Sequence, residues 1–482
     1  MRVCEGLQPQ AVFRIFEEIA GIPHGSGNTK AVSDYCVAFA KGLGLPAVQD
    51  ARNNVIIKKP GTPGYEASEP VIIQGHLDMV CEKEADCTID FAREGLQLYV
   101  DGDFLKARGT TLGGDDGIAI AYAFALLEAE DICHPPLEIV LTVDEEVGML
   151  GAEAIDLSGL TGRRLLNIDS DEEGYFLTGC AGGLRADCRL PVRWRRQEGR
   201  SCQLMVHGLL GGHSGAEIHK ERANAVMTMG RVLKGLSEKL DIGLAAMAGG
   251  LMDNAIPREC TATLVVPEAD SAALAELAAE WNDRLRHEYG TSDPNITITL
   301  QPGETGSFSV LDYGSLSKSL LLLRSVPCGV QHMSMDIPGL VETSLNPGIM
   351  KLSDEELQLH FALRSSVTSR KYEMLDRLVF LTEFLGGEVA ISGNYPAWEY
   401  RADSPLRRLM ADTYRDLFGQ EPVIQAIHAG LECGIFSGKL KGLDCISFGP
   451  NNYDIHTPKE RLSISSVQRV WQLILEFLKR AK

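Results

Sequence analysis

Three short, nearly continuous apolar runs constrain this chain most: residues 71–73, 137–143 and 165–168. They are too brief for typical helices, and a run with almost no polar alternation suits a strand buried on both faces. Helical patterns lie between or beside them, notably 118–130. Buried strands alternating with helices predict an α/β domain whose mixed, mostly parallel sheet is flanked by helices. Ahead of the first run, residues 7–45 read as helical, broken by the loop GIPHGSGNT (21–29). Asn28 and Thr29 at its end are residue types that cap a following helix.

The pattern changes between 187 and 396. Strand-like segments at 203–208, 260–266 and 295–300 alternate with helix-like segments at 222–240, 272–287 and 314–324. A hairpin is expected to turn at Asp354-Glu355, followed by a helix at 371–385 and a strand at 388–392. That order predicts an α+β, ferredoxin-like layer. From Pro405 the α/β character returns, with a helix at 406–418, a strand at 445–448 and a helix at 466–480. One domain is therefore expected to interrupt another: an outer domain of 1–186 with 397–482, and an inserted domain of 187–396. No internal repeat is evident.

Composition narrows the partners. The formal net charge is −20 across 482 residues, which repels a phosphate backbone and argues against nucleic acid. No segment reaches the roughly 20 continuous apolar residues of a membrane helix. The first twenty residues are amphipathic and lack the apolar core of an export signal. Twelve cysteines are scattered with no CxxC pair, a usage expected of reduced thiols in the cytoplasm. Glycine clusters such as GLLGGHSG raise a nucleotide-binding reading, but no GxxxxGK[ST] string accompanies them.

The chemistry gathers where the apolar runs end. His76 follows the first, with Asp78 two residues on; in extended chain both lie on one side, so Asp78 can orient the imidazole. Taken alone, a polar pair at a strand end is the commoner explanation. Asp115 and Asp116 sit among glycines ahead of the 118–130 helix, where acids also serve as ordinary caps. Asp144, Glu145 and Glu146 follow the second run. Adjacent glutamates on a strand point to opposite faces, so they share a site only where the backbone bends; the alternative is a solvated acidic turn. Asp169 ends the third run, and Asp171, Glu172 and Glu173 beyond it are expected in solvent. His456, in FGPNNYDIHTPKE, follows the 445–448 strand through a Gly-Pro-Asn loop. Ligands bind beyond the carboxyl ends of strands in open α/β sheets. Acids and histidines collected there from several strands suit zinc, and two adjacent metals need a bridging carboxylate.

These residues resemble the co-catalytic zinc metallopeptidases that include carboxypeptidase G, peptidase T and the aminoacyl-histidine dipeptidases, also called Xaa-His dipeptidases or bacterial carnosinases. The last group is the nearest in pattern. The strings that carry the resemblance are NNVIIKKPGTPG, QGHLDMVCEK, TTLGGDDGIAIA, DEEVGMLGA, NIDSDEEG, GCAGG, GLLGGHSGAEIHKERANA, DNAIPRE and HAGLECGIF. The resemblance implies a zinc-peptidase catalytic domain with an inserted lid and dimerisation domain. It implies two Zn2+ per chain, one on His76, Asp115 and Asp169, the other on Asp115, Glu146 and His456. Co2+ or Mn2+ are possible substitutes. Glu145 would be the general base for a zinc-bridged hydroxide, and Asp78 would buttress His76. His213 would stabilise the oxyanion, from its own chain or a partner's. Asn254 and Arg364 would bind the substrate end, Arg364 as a carboxylate clamp. The implied substrate is a dipeptide such as β-alanyl-histidine, and the implied assembly is a homodimer. An N-acyl amino acid deacylase of the same family and an inactive metal-binding scaffold remain alternatives. Asp116 stands where relatives often carry Asn, so it either tightens metal binding or faces water. His219 and His428 fall inside the quoted strings without an assigned role.

Overall fold

A computed structural model describes residues 2–482. The chain divides into two compact units: Met1–Cys180 with Tyr400–Ala426 and Leu431–Lys482, and Ala181–Glu399 with Ile427–Gly430.

An eight-stranded sheet forms the first unit. Its order is Ala47–Gln49, Val55–Lys59, Leu137–Thr142, Val71–His76, Arg164–Asn167, Asp444–Ser447, Tyr175–Cys180 and Val423–Ile427. The middle four strands run parallel, with Val71 opposite Leu137 and Cys445 opposite Leu165. Their carboxyl ends therefore open at one edge of the sheet. Val71–His76 and Leu137–Thr142 are buried at every position, as strands covered on both faces must be. Glu138 is the polar intruder, and its carboxylate accepts from Lys58 Nζ (3.0 Å) and the Gly162 N–H (3.0 Å), which offsets its desolvation.

The helix Gly114–Glu128 is buried over nearly its whole length and so must be covered on all sides. Tyr122 Oη donates to the Val467 carbonyl at 2.9 Å, tying it to the amphipathic helix Ile464–Arg480. Helix Lys30–Gly42 begins after Thr29, but the Thr29 side chain makes no capping bond. A four-stranded antiparallel sheet orders Asn452–Tyr453, Arg461–Ser463, Phe104–Ala107 and Leu98–Asp101.

The second unit is built on nine antiparallel strands. In order they are Thr297–Leu311, Trp194–His207, Cys260–Val266, Gly243–Gly249, Val341–Leu352, Glu356–Ser365, Gly182–Pro191 and Glu388–Tyr395, with Gly329–Met333 paired to Val341–Leu352. Burial alternates along Glu356–Ser365. Leu357, Leu359, Phe361 and Leu363 join one core with residues of the helices Ala225–Ser237, Ser271–Tyr289, Tyr313–Ser325 and Thr368–Phe384. Alternation with one packed face is the antiparallel signature. The sheet is larger than a single ferredoxin-like repeat. The turn at 353–355 is closed by Ser353 Oγ, which accepts the Glu356 N–H at 3.1 Å.

Candidate metal centre and its surroundings

His76 is the last residue of its strand. Its Nδ1 donates to the Asp78 carbonyl at 3.0 Å, and the Asp78 carboxylate stands 3.5 Å away. A ring protonated at Nδ1 turns the Nε2 lone pair toward Asp115 Oδ1 (3.0 Å) and Asp169 Oδ1 (3.8 Å). A lone pair facing carboxylates is repulsive until a proton or a cation lies between them. The Asp78 carboxylate is occupied elsewhere too: it accepts the N–H groups of Glu145 (3.0 Å) and Glu146 (3.3 Å) and the Ser26 hydroxyl (2.8 Å).

Those two N–H groups belong to the turn that follows Leu137–Thr142. Asp144 and Met149 take positive φ values of 56° and 58°, and Gly148 lies at 120°. The backbone bends there, so Glu145 and Glu146 are not confined to opposite faces. Glu145 makes no side-chain hydrogen bond among the described residues. Asp115 opens the helix Gly114–Glu128 after Gly113, which sits at φ +67°, a conformation glycine adopts without strain. The Asp115–Asp116 peptide bond is cis. Asp115 reaches both histidines: Oδ1 faces His76, and Oδ2 lies 3.2 Å from His456 Nε2, which is also 3.0 Å from Glu146 Oε1. His456 rides on the loop between Asn452–Tyr453 and Arg461–Ser463.

Three groups each place one donor atom per residue within 4.8 Å of one another: His76, Asp116 and Asp169; His76, Glu145 and Glu146; Asp115, Glu146 and His456. The third matches one ligand set expected from the sequence. In the other, His76 links Asp115 and Asp169, while Asp116 is a further neighbour. Nitrogen and carboxylate oxygen are the donors zinc accepts. Bonds of about 2.0–2.2 Å in a tetrahedral shell put neighbouring donors roughly 3.3–3.6 Å apart, close to the separations here.

The charge balance also calls for cations. Burial opposes charge on His76, yet hydrogen bonds to Asp115 and Asp78 lift its pKa well above the ordinary imidazole range. Hydrogen bonds to Asp115 and Glu146 raise His456 to about 10. Burial pushes Asp115 up, but the two imidazoles hold it below the usual carboxylate range. Asp169 is driven well up by burial and by Asp116 and Asp115, against the pull of His76. Burial, reinforced by Glu146, Asp115 and Asp78, pushes Glu145 up to about 7 although His76 opposes it. Six carboxylates thus surround two imidazoles, and several retain protons where cations would otherwise balance them. The residues fit a pair of divalent ions.

Asp116 does not face water. It is 1% exposed, and its Oδ2 accepts the His76 N–H at 3.1 Å. Burial raises its pKa well above the ordinary carboxylate value, against the pull of His76. Glu173 is not solvated either; it pairs with Arg469 through two contacts of 2.6 Å.

Two acids escaped the sequence reading. Glu432 is fully buried and accepts from Gln74 Nε2 (2.5 Å) and Thr142 Oγ1 (2.7 Å), beneath the strand ends. Burial and the nearby Glu145 push it up to about 8. Glu460 accepts from the backbone ahead of Asp115. Burial raises its carboxyl, against Asn452 and the backbone donors that pull it down. Neither follows an apolar run, so nothing local marked them.

The second unit holds the remaining expected residues. His213 Nδ1 accepts the N–H groups of Gly215 (3.3 Å) and Ala216 (3.0 Å). The neutral ring must then carry its proton on Nε2, as a donor. Burial and Arg364 lower the His213 pKa. Arg364 reaches Tyr395 Oη at 3.3 Å; its Nε is buried without a partner, and no carboxylate pairs with it among the described residues. His428, an unassigned histidine, bonds Ser344 Oγ at 2.7 Å. Burial and Arg364 lower it to about 3. A Cβ on Gly215 would stand 2.7 Å from the His428 carbonyl, 3.0 Å from the His213 ring and 3.2 Å from Arg364 Nε, so only glycine lets these groups gather. Asn254 enters through its carbonyl, which accepts the Ser214 N–H at 2.8 Å.

Comparison with known proteins identifies the family. The profile of peptidase family M20/M25/M40 matches residues 72–480. The cytosol non-specific dipeptidase of Escherichia coli (strain K12) is 39% identical over 475 residues, covering 98% of both chains. The crystal structure of aminoacylhistidine dipeptidase from Vibrio alginolyticus superposes with a TM-score of 0.93 at 36% identity, over 100% of this chain and 98% of that one. Aminopeptidase PepT from Bacillus cereus shares the fold at a TM-score of 0.57 and 13% identity, over 98% and 99% of the two chains. The chain is a peptide hydrolase belonging to peptidase family M20/M25/M40.

Proposed function

We propose that this chain is a two-metal dipeptidase that cleaves Xaa-His and related dipeptides, with zinc as the resident ion. The observation that carries the reading is Asp115, whose two oxygens face His76 and His456 from opposite sides. His76, Asp115 and Asp169 would hold one ion, and Asp115, Glu146 and His456 the other. Such ions polarise a carbonyl and acidify water near neutral pH.

The chain's own groups do the rest. Asp78 fixes the 145–146 turn and stands behind His76. Glu145 titrates near neutrality with no hydrogen bond to hold it, which suits a base that takes a proton from water and returns it to the leaving amine. His213, with Nε2 as donor, serves the oxyanion, from its own chain or a partner's. Arg364 offers a guanidinium without a carboxylate among the described residues, suited to the free carboxyl end of a dipeptide, and Asn254 belongs to the same unit. The names of the Escherichia coli and Vibrio alginolyticus relatives support dipeptides as the substrate class.

Homodimerisation is part of the reading. Glu388–Tyr395 is an edge strand, and Phe380 and Phe384 are exposed at 73% and 77% on the adjoining helix. No described helix is long and apolar enough to cross a membrane. The scattered cysteines, with no CxxC pair among them, accord with a cytoplasmic protein.

Assay of β-alanyl-histidine, Gly-His, Ala-Ala, a tripeptide and N-acetyl amino acids, with metal content measured in the same sample, tests the proposal. Dipeptides should be cut and the tripeptide spared. Cleavage of the N-acetyl compounds alone would establish the deacylase instead, and no hydrolysis with zinc, cobalt or manganese would leave only a scaffold.

A further inference from the structure

Glu460 lies four residues beyond His456 and has no role in the reaction described above. It is 3% exposed. Its Oε2 accepts the N–H groups of Leu112 (2.7 Å) and Gly113 (3.1 Å). Its Oε1 accepts the Gly114 N–H (2.8 Å), a longer contact from the Asp115 N–H (3.5 Å) and Asn452 Nδ2 (3.0 Å). Every one of these neighbours is a donor. A carboxylate satisfies them all, whereas a protonated acid would turn its own hydrogen toward N–H groups.

The backbone donors line the turn 112–115 that leads into Gly114–Glu128, where Asp115 and Asp116 still depart from helical φ/ψ. Glu460 thus holds that turn from more than 300 residues away in sequence. The approach requires bare backbone. A Cβ on Gly114 would lie 2.8 Å from Asn452 Nδ2 and 3.1 Å from Glu460 Oε1.

Two loops meet at this one side chain. The first delivers Asp115 at the end of that turn. The second carries His456 in the left-handed region at φ +61°, with Asp454 at φ +53°. Non-glycine residues hold such a conformation only where their surroundings enforce it. Glu460 anchors the far end of that loop, and Asn452, which it also binds, anchors the near end.

We propose that Glu460 is a positioning residue: it fixes Asp115 relative to His456 and so sets the affinity of the Asp115–Glu146–His456 group for a divalent ion. The inference rests on the metal-site reading above.

Equilibrium dialysis of the full chain against buffered free zinc, alongside the thermal midpoint of the metal-stripped protein, tests it. Wild type should take up two zinc ions. Glu460→Gln keeps the side chain's size but presents an amide N–H to backbone N–H groups. It should hold about one zinc at the same free concentration, with the weaker site loosened about 10- to 100-fold. Its kcat should recover as free zinc is raised, with KM little changed. Glu460→Asp should restore part of the affinity. Asn452→Ala removes a single donor and should loosen the same site by about threefold or more; it decides the matter if Glu460→Gln does not fold. Unchanged affinity for the second zinc in the folded variants would overturn the role of Glu460, whatever happens to the thermal midpoint, while leaving the metal reading intact. A wild-type chain that binds no zinc would overturn both.

Discussion

At the scale of single residues, environment assigns different work to like side chains. Glu145 and Glu146 are neighbours in sequence, yet Glu146 is engaged by His456 and Glu145 by nothing. Glu145→Gln should therefore keep fold and metal content while kcat falls by about 10²- to 10⁴-fold; zinc analysis and steady-state kinetics on one preparation check it, and near wild-type turnover would remove Glu145 from the chemistry. His428 gives a pH prediction. Its folded pKa, near 3, lies below the ordinary 6.5. Between those values the unfolded chain binds a proton that the folded chain refuses. The stability is thus complete above pH 6.5 and drains as pH falls toward 3, by up to about 1.4 kcal/mol per pH unit for this group. In urea titrations at pH 7 and pH 5, His428→Gln should lose less stability than wild type over that interval. An equal loss would show that His428 does not titrate as a buried neutral ring. Asp116 illustrates the same rule, since burial raises its carboxyl well above the ordinary value.

At the scale of elements, the site depends on how tightly a strand meets a helix. A Cβ on Gly75 would lie 2.4 Å from Ala119 Cβ and 2.5 Å from Asp116 Oδ2. Ala119 belongs to the buried helix Gly114–Glu128, which has no room to retreat. Gly75→Ala should destabilise the chain by about 1–3 kcal/mol, and by displacing the strand next to His76 should also weaken metal uptake. Denaturant unfolding and zinc content measure the two effects. A variant as stable as wild type would mean that the strand and helix can part without cost.

At the scale of the whole molecule, Phe380 and Phe384 expose apolar rings beside an edge strand, a surface suited to burial against another chain. For the proposed homodimer, Phe380→Asp with Phe384→Asp should yield a monomer in light scattering after size exclusion. A double variant that remains dimeric would place the contact elsewhere. Activity of such a monomer also bears on His213: a collapse in kcat with retained zinc indicates that the partner supplies the imidazole, and full activity indicates that its own chain does.

The sequence by itself determined the buried strands of a mostly parallel sheet, an α+β layer of different pattern, and the acids and histidines at the strand ends. Those features are written locally: an apolar run declares a buried strand within a few residues, and a polar residue directly after it stands at the sheet's edge. Tertiary structure alone decided that the backbone turns at Asp144 so that Glu145 and Glu146 share one site. It also decided that Asp116 is buried, that Glu173 is paired, that His428 sits with Arg364, and that Glu460 holds the loop of Asp115. Each of these depends on partners far along the chain. Burial and hydrogen bonding across such distances set the charge and direction of a side chain, and no local pattern records them.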